Sequence, residues 1–317
     1  MCYNLVGIVS GGNMKTNDDI VIKQRAAGVS VVSNTVLIVL KLITGVVTGS
    51  FSVISEAIHS TSDLLASFIA FVAVKKASKP ADKDHAFGHG KYEDFSGLIE
   101  GLLIILASVY ILWEASMKVI SGKYESVDVD IAIYVMLFSV FANIFVSAYL
   151  FKCAKKTGSI ALYADAEHLR TDVYTAVGVM AGLALIKITN IHIIDPLIAI
   201  FVAVLIWEAG FKICKKTVAD LLDASLSADE ETEILNTINT VKNAKMFKLC
   251  ELKTRRSGVR KQIELKICVN GDMTVKESHE FCNEVEKALS DKIGNTDTII
   301  HIEPLCEVCE KDNVVKI

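Results

Sequence analysis

The chain has 317 residues, of which 52% are hydrophobic, with a mean hydropathy of +0.44. A soluble domain of this composition would be unusual, so we expect most of the chain to lie in a lipid bilayer. The formal net charge of −4 provides no overall basic surface, which argues against nucleic acid as a partner.

Six apolar runs have roughly the 20 residues that a helix needs to cross a bilayer. They cover residues 27–47, 51–74, 97–120, 129–151, 160–186 and 193–213. The second and fifth are the least hydrophobic because each contains a His and an Asp. The sequence therefore predicts a six-helix transmembrane domain over residues 21–216, preceded by a short cytoplasmic extension at residues 1–20.

Lysines and arginines cluster on one side of these runs. They precede the first run, separate the second from the third, and follow the fourth and sixth; the members are Lys15, Lys23, Arg25, Lys75, Lys76, Lys79, Lys83, Lys91, Lys152, Lys155, Lys156, Lys212, Lys215 and Lys216. The opposite side has little beyond Lys118, Lys123 and Lys187. The positive-inside rule then predicts that both termini are cytoplasmic, and we expect the plasma membrane as the location.

Two of the runs repeat one polar pattern: His59 and Asp63 in the second, His168 and Asp172 in the fifth. Residues four apart lie on the same face of a helix, one turn from each other. Two facing helices would thus offer two imidazole nitrogens and two carboxylate oxygens, a tetrahedral ligand set for Zn²⁺. The alternative is a set of polar contacts between helices, but each such residue costs on the order of 2.5 to 3.5 kcal/mol at mid-membrane. We therefore predict a metal site.

Other charged residues accompany the repeat. The acids Glu56, Asp165 and Glu167 lie on other faces or nearer the helix ends, where either cation steering or an ordinary interfacial role is open. Lys41 and Arg170 are expected to reach the interface or to pair with these acids.

The loop before the third run contains Asp82, His85 and His89 within eight residues. Such a set can fold onto one Zn²⁺, and the intervening glycines permit the tight turn. The alternative is a polar loop that happens to contain two histidines.

After Lys216 the composition changes to that of a soluble module at residues 217–317. Periodicity predicts helices at residues 230–241 and 275–289 and strands at 247–253, 261–269 and 298–302. The order αββαβ indicates a ferredoxin-like, metallochaperone-like α+β sandwich. A module of this size suits dimerisation or regulation better than an enzyme with a deep cleft.

All eight cysteines fall on or near the predicted cytoplasmic side. In a reducing compartment we expect thiols or metal ligands there and not disulfides. The terminal module combines Cys250, His279, His301 and Glu303 with the pair Cys306 and Cys309. A C-x-x-C pair near a domain end is typical of metal binding, but a redox pair or simple thiols are also open.

Together these motifs resemble the cation diffusion facilitator family. The resemblance is carried by the two His-x₃-Asp patterns, by the loop Lys79-Pro80-Ala81-Asp82 with His85-Ala86-Phe87-Gly88-His89-Gly90-Lys91, and by the αββαβ module. It implies a homodimeric antiporter, not an enzyme, that exports Zn²⁺ or a related divalent ion against protons by alternating access. It also implies Zn²⁺ as a regulatory ligand and no organic cofactor.

The resemblance assigns residues to sites. His59, Asp63, His168 and Asp172 match the family's transport site, and Asp82, His85 and His89 its loop site. Cys250, His279, His301 and Glu303 match its cytoplasmic site, where Cys250 and Lys266 replace histidines. Lys91 and Asp223 match a pair that interlocks near the dimer axis.

The choice of ion depends on the two histidines of the transport site. Manganese-type members have Asp at both positions, so histidine at both favours zinc, because imidazole suits Zn²⁺ better than Mn²⁺. The alternatives are export of Cd²⁺, Co²⁺, Fe²⁺ or Mn²⁺, and a membrane sensor or scaffold that binds metal without transport. A passive channel is disfavoured because four strong ligands slow the exit of the ion.

Overall fold

A computed structural model describes residues 13–48, 51–121, 132–189, 193–242 and 247–305. The chain divides into two units, Met1–Val218 and Ala219–Ile317. The first consists of long helices, and the second is a small α/β module. Each unit is described by itself.

The first unit contains six long helices. These are α1 (Asn13–Thr48), α2 (Phe51–Ala77), α3 (Lys91–Ser121), α4 (Ala132–Thr157), α5 (Ile160–Thr189) and α6 (Ile194–Leu221). Within the described residues, four have the length and hydropathy to cross a membrane, at Asp18–Thr44, Lys91–Ser121, Leu137–Thr157 and Pro196–Leu221. Helices α2 and α5 have 27 and 30 residues, and the side chains at the start of α2 and at the end of α5 lie outside the described part of the structure.

Helices α1, α3 and α6 extend past the predicted apolar runs into charged sequence. Lys23 of α1 is buried, at 3% exposed, and its Nζ lies 2.5 Å from Glu93 Oε1 of α3. Ser159, just before α5, donates a hydrogen bond to the other oxygen of Glu93. A charge next to an apolar run can therefore lie inside the bundle when a partner on another helix neutralises it.

Helices α3 and α6 approach closely through glycines. A Cβ added at Gly101 of α3 would lie 2.7 Å from Cys214 Sγ, and one at Gly210 of α6 would lie 3.1 Å from the Gly101 carbonyl oxygen. One turn earlier, a Cβ at Gly97 would meet Thr217 at 2.9 Å. Small residues spaced by four allow such contact in membranes, where packing drives helix association.

The remaining helices pack through a separate apolar cluster. Its fully buried members include Ala27 of α1, Val74 of α2, Leu150 of α4 and Leu162 of α5. Short side chains of α1 pack against larger side chains of α4 and α5. Helices α2 and α5 therefore share one apolar cluster with α1 and α4. The two His/Asp helices are thereby held next to each other.

The second unit has the predicted order αββαβ. Its elements are α7 (Ala228–Lys242), β1 (Phe247–Ser257), β2 (Arg260–Val269), α8 (Val275–Ile293) and β3 (Thr296–Pro304). Strand β2 is central, antiparallel to β1 and parallel to β3. In a split βαβ unit another strand would separate the two parallel strands; here β2 and β3 are direct neighbours joined through α8.

Local sequence accounts for this module. Gly258 takes φ +58° in the two-residue turn of the hairpin, a conformation that glycine adopts without strain. Thr274 and Glu277 form a capping box that starts α8. The helices then cover one face of the sheet with a core that includes Ile263, Ile267 and Phe281.

An ion-pair cluster predicts how this module responds to acid. Partial burial raises the pKa of Glu230, but hydrogen bonds and charges from Arg256 and Lys261 outweigh it and lower the pKa to about 2. A carboxyl group whose pKa is lower in the folded state stabilises the fold at pH values above its pKa in the unfolded chain. This stabilisation is lost as the pH falls from 4.5 toward about 2. Glu230→Gln should therefore flatten the loss of amide protection in β1 between pH 5 and 2, measured by hydrogen exchange of the full chain. An unchanged acid profile would contradict this.

Candidate metal sites

Helices α2 and α5 bring three predicted ligands together inside the first unit. Asp63, His168 and Asp172 each offer one ligand atom, and these atoms all lie within 4.8 Å of one another. His168 Nε2 lies 3.3 Å from Asp63 Oδ1, although the residues are 105 positions apart. The fourth predicted ligand, His59, belongs to α2, but its side chain lies outside the described part of the structure.

The chemistry of this cluster suits a divalent ion. Two carboxylates and one imidazole supply the mixed oxygen and nitrogen donors that zinc accepts. His168 is 7% exposed, and its Nδ1 has no hydrogen-bond partner among the described residues. The two acids are partly buried beside His168, and a bound cation would neutralise them directly.

A polar network supports the cluster. Asn34 of α1 donates to Ser67 Oγ of α2 at 2.7 Å and to the Asp63 carbonyl at 3.5 Å. Ser67 in turn donates to Asp165 Oδ1 of α5 at 2.9 Å. Sequence reasoning missed Asn34 and Ser67, because neither stands out in an apolar run and their partners are distant in sequence.

The structure also shows the contacts of the charged residues near the two His/Asp patterns. Arg170 pairs with Glu167 at 2.5 Å, which confirms the expected pairing with an acid, and its guanidinium lies over the rings of Phe151 and Tyr174. Lys41 Nζ donates to Ser60 Oγ at 2.6 Å. The side chain of Glu56 lies outside the described part of the structure.

The loop before α3 assembles Asp82, His85 and His89. Asp82 Oδ1 lies 3.5 Å from His85 Nδ1, and Asp82 Oδ2 lies 3.4 Å from His89 Nε2. The Pro80 carbonyl oxygen lies 3.2 Å from His89 Nδ1 and, as an acceptor, places the proton there. This leaves Nε2, the nitrogen available to a metal, facing Asp82.

Asp82 also shapes the loop itself. Its Oδ1 accepts the backbone N–H groups of Asp84 at 3.1 Å and of His85 at 2.8 Å. The His85 hydrogen bond is the main reason that the pKa of Asp82 lies below its usual value. A turn of this kind forms without metal, so both interpretations of the loop are compatible with the geometry.

The two roles of Asp82 can be separated by substitution. In Asp82→Asn the amide oxygen can still accept both backbone hydrogen bonds, but the charge is lost; Asp82→Ala loses both. If the loop binds Zn²⁺, both variants should weaken binding, by about tenfold or more, while only the alanine variant disturbs the loop. Zinc titration monitored by the His85 and His89 resonances measures this. Equal affinity in the asparagine variant and the unaltered chain would show that the loop is only a turn.

The cytoplasmic ligand set is not assembled as predicted. Cys250 is bonded to Cys268 of β2 as a disulfide, so its sulfur is not a free thiolate. The β1–β2 register shifts between Leu249 and Glu251, which makes Cys250 an extra residue of a bulge and brings the two cysteine Cα atoms to 6.5 Å. The expectation that cysteines avoid disulfides is thus wrong for this pair. Cys153, Cys214 and Cys282 are free thiols.

Of the other members of that set, His301 and Glu303 are in contact. Glu303 Oε1 contacts both His301 Nε2 at 3.3 Å and Lys266 Nζ at 2.8 Å, and the Lys266 hydrogen bond lowers the pKa of Glu303. His279 lies on the exposed side of α8. Within the described residues, only the two clusters above bring three ligand atoms together. Cys306 and Cys309 lie outside the described residues.

The predicted pair of Lys91 and Asp223 would join the two units and stays a prediction. Within the second unit, Asp223 Oδ2 accepts from Arg255 Nη1 at 3.2 Å. Lys91 begins α3.

Comparison with known protein families decides what the helical unit is. The model of the cation efflux transmembrane domain matches residues 27–222, well over half of the chain. The model of the cation efflux protein cytoplasmic domain matches residues 226–305. The chain belongs to the cation efflux family. This confirms the resemblance to cation diffusion facilitators, whose members are transporters and not enzymes.

Several relatives of this cation efflux protein align over most of its length. An uncharacterized transporter from Synechocystis is 34% identical, covering 84% of this chain and 85% of the relative. The manganese efflux system protein MneP of Bacillus subtilis is 27% identical, over 90% and 97%. The cation-efflux pump FieF of Yersinia enterocolitica is also 27% identical, over 90% and 94%.

Among solved structures, a short chain is similar in sequence to part of this protein. The zinc form of a putative zinc transporter, CzrB, is 32% identical, covering 26% of this chain and 93% of that chain, at a TM-score of 0.25. The family model of the cytoplasmic domain, which is named for a dimer, indicates that this cation efflux protein dimerises. A membrane-embedded efflux domain with a cytoplasmic mixed-sheet domain is therefore established.

Proposed function

We propose that this cation efflux transporter exports Zn²⁺ in exchange for protons by alternating access. The observation that carries the proposal is the cluster of buried His168 with the partly buried Asp63 and Asp172 on two facing helices. An imidazole beside two carboxylates suits Zn²⁺ better than Mn²⁺, which prefers oxygen donors alone. His59, one turn before Asp63, is the proposed fourth ligand.

Proton coupling follows from the ligand chemistry. Zinc needs a neutral imidazole and ionised carboxylates, so protons and metal compete for the same atoms. The 3.3 Å contact between His168 and Asp63 is the pair that a proton would bridge once the metal has left. A proton entering from outside would then expel the ion and reset the carrier.

The setting of the transporter completes the proposal. Both termini face the cytoplasm of a plasma membrane, and the homodimer forms through the cytoplasmic domains. The loop site and the group His279, His301 and Glu303 are the proposed places where Zn²⁺ acts as a regulatory ligand. With Cys250 in a disulfide, that second group has one donor fewer than the family pattern implies.

Reconstitution into liposomes tests the proposal. With a metal-sensitive dye inside and an imposed pH gradient, we expect Zn²⁺ uptake that rises with the gradient and is lost in the Asp63→Ala, Asp172→Ala double variant. Uptake that ignores the gradient, or that survives this double variant, would refute the antiport.

A second cargo is tested in the same vesicles. One relative is named a manganese efflux system protein, so Mn²⁺ is the alternative cargo. If Mn²⁺ moves faster than Zn²⁺ at equal concentration, the ion assignment is wrong while the antiport mechanism stands. Cd²⁺, Co²⁺ and Fe²⁺ complete the series.

A further inference from the structure

We propose that Glu100 and Asp165 form a second cation-binding site in the membrane domain, built from oxygen atoms and one helical turn away from the transport cluster. The ligand it would take is a divalent metal ion in transit. This inference rests on the proposed transport function, because it makes the site a stop on the same ion path.

The antiparallel helices α2 and α5 define the position of this second site. Ser67 follows Asp63 by four residues on α2, and Asp165 precedes His168 by three on α5. The hydrogen bond from Ser67 to Asp165 therefore lies one turn beyond the contact between Asp63 and His168. It lies toward the helix ends that carry lysines, which are Lys75 and Lys76 on α2 and, before α5, Lys155 and Lys156.

Both acids are fully buried. Glu100 of α3 and Asp165 are each 0% exposed. Asp165 Oδ1 accepts from Ser67, and Glu100 Oε1 accepts from Ser96 at 3.4 Å. The second oxygen of each, Asp165 Oδ2 and Glu100 Oε2, has no hydrogen-bond partner among the described residues.

Each acid has His168 as an electrostatic neighbour. The neighbours that act on Glu100 are Asp165 and His168, and those on Asp165 are His168 and the hydroxyls of Ser30 and Ser67. Among the described residues, these neighbours include no lysine or arginine. Two buried carboxylates of like sign, each with an unused oxygen, are costly as anions unless a cation shares them or protons neutralise them.

The serine network orients the donors away from the unused oxygens. Asn34 donates to Ser67 Oγ at 2.7 Å, so the Ser67 hydroxyl proton is directed to Asp165 Oδ1. Asp165 is thus fixed by one oxygen while the other stays available. This is the arrangement expected of a carboxylate that binds an ion with one oxygen.

The donor set explains why a second site would help transport. Carboxylate and hydroxyl oxygens hold zinc less tightly than a site containing imidazole. An ion could therefore bind first at Glu100 and Asp165 and then pass to the tighter cluster, since conduction needs sites that ions can both enter and leave. The merely structural alternative is that the two acids stay protonated and only pack.

Matched variants distinguish these roles. Glu100→Gln and Asp165→Asn keep size and shape but remove the charge, and Glu208→Gln is the control because that acid of α6 is 61% exposed and pairs with Lys212. In liposomes with Zn²⁺ as the probe, we expect each test variant to raise KM on the order of tenfold with kcat nearly unchanged. The double variant should add little, because both acids serve one ion. The control should match the unaltered chain.

A binding count provides an independent readout. In the detergent-solubilised full chain, equilibrium dialysis with radiolabelled zinc should show one ion fewer per protomer in Glu100→Gln than in Glu208→Gln. An unchanged count, or an unchanged KM with lowered kcat, would overturn the second site and indicate packing alone. If the unaltered chain moves no zinc at all, the proposed antiport fails, and the binding count alone then decides on this site.

Discussion

Replacing His168 by alanine is expected to abolish zinc transport. The variant removes the one described nitrogen donor of the transport cluster and leaves Asp63 and Asp172 without the imidazole that lies between α2 and α5. Even an outer partner of a metal ligand is typically worth 10- to 100-fold, so we expect the loss of a ligand itself to lower the initial rate by at least about 100-fold. Zinc uptake into proteoliposomes measures it.

A second substitution at the same position tests the choice of ion. His168→Asp retains a ligand but makes it an oxygen, so Zn²⁺ transport should fall while Mn²⁺ transport rises relative to it. The ratio of the two initial rates in the same vesicle preparation is the readout. Zinc transport above a tenth of the unaltered rate in His168→Ala, or an unchanged ion ratio in His168→Asp, would contradict the assignment of His168 as a ligand.

Removing Lys23 is expected to produce the largest loss of stability. Lys23 and Glu93 form an ion pair with side chains 4% and 1% exposed, and Ser159 also donates to Glu93. Lys23→Met leaves the Glu93 carboxylate buried and uncompensated, which costs about 3 to 5 kcal/mol for pairs of this kind. Thermal unfolding of the detergent-solubilised chain should show a clearly lower midpoint.

Two further variants give this experiment its controls. In the double variant Lys23→Met with Glu93→Gln no charge is left buried, so most of the loss should be recovered. Lys212→Met breaks the pair with Glu208 on the surface of α6, where the side chains are 73% and 61% exposed, and should change nothing measurable. A surface variant as damaging as Lys23→Met would show that the buried pair has no special role.

The sequence predicted best what depends on local pattern. The order αββαβ follows from periodicity and turn residues, and the loop ligands lie within eight residues of one another. The six apolar runs predicted the six long helices, with ends that differ by several residues. Helices α2 and α5 carry the His/Asp repeat, so the residues that carry the chemistry are also the ones that make these two runs the least hydrophobic.

What the sequence could not provide are contacts between distant elements. Glu100 is one of two acids in an apolar run, and only the packing of α3 against α5 brings it toward Asp165. Similarly, the pairing of Cys250 with Cys268 depends on a bulge that shifts the strand register by one residue. Periodicity assigns a residue to a strand but does not fix which residue lies opposite it.

The ligand set of the transport cluster has an electrical consequence. Two ionised carboxylates, Asp63 and Asp172, balance the charge of one divalent ion when the imidazoles are neutral. Two protons on the same groups would balance it equally, so the loaded and the reset carrier would have the same net charge. A step that moves no net charge is not driven by membrane voltage, which otherwise acts with about 2.3 kcal/mol per charge per 100 mV. Exchange of one ion for two protons would then respond to the pH gradient and remain unaffected when the vesicles are clamped at different potentials.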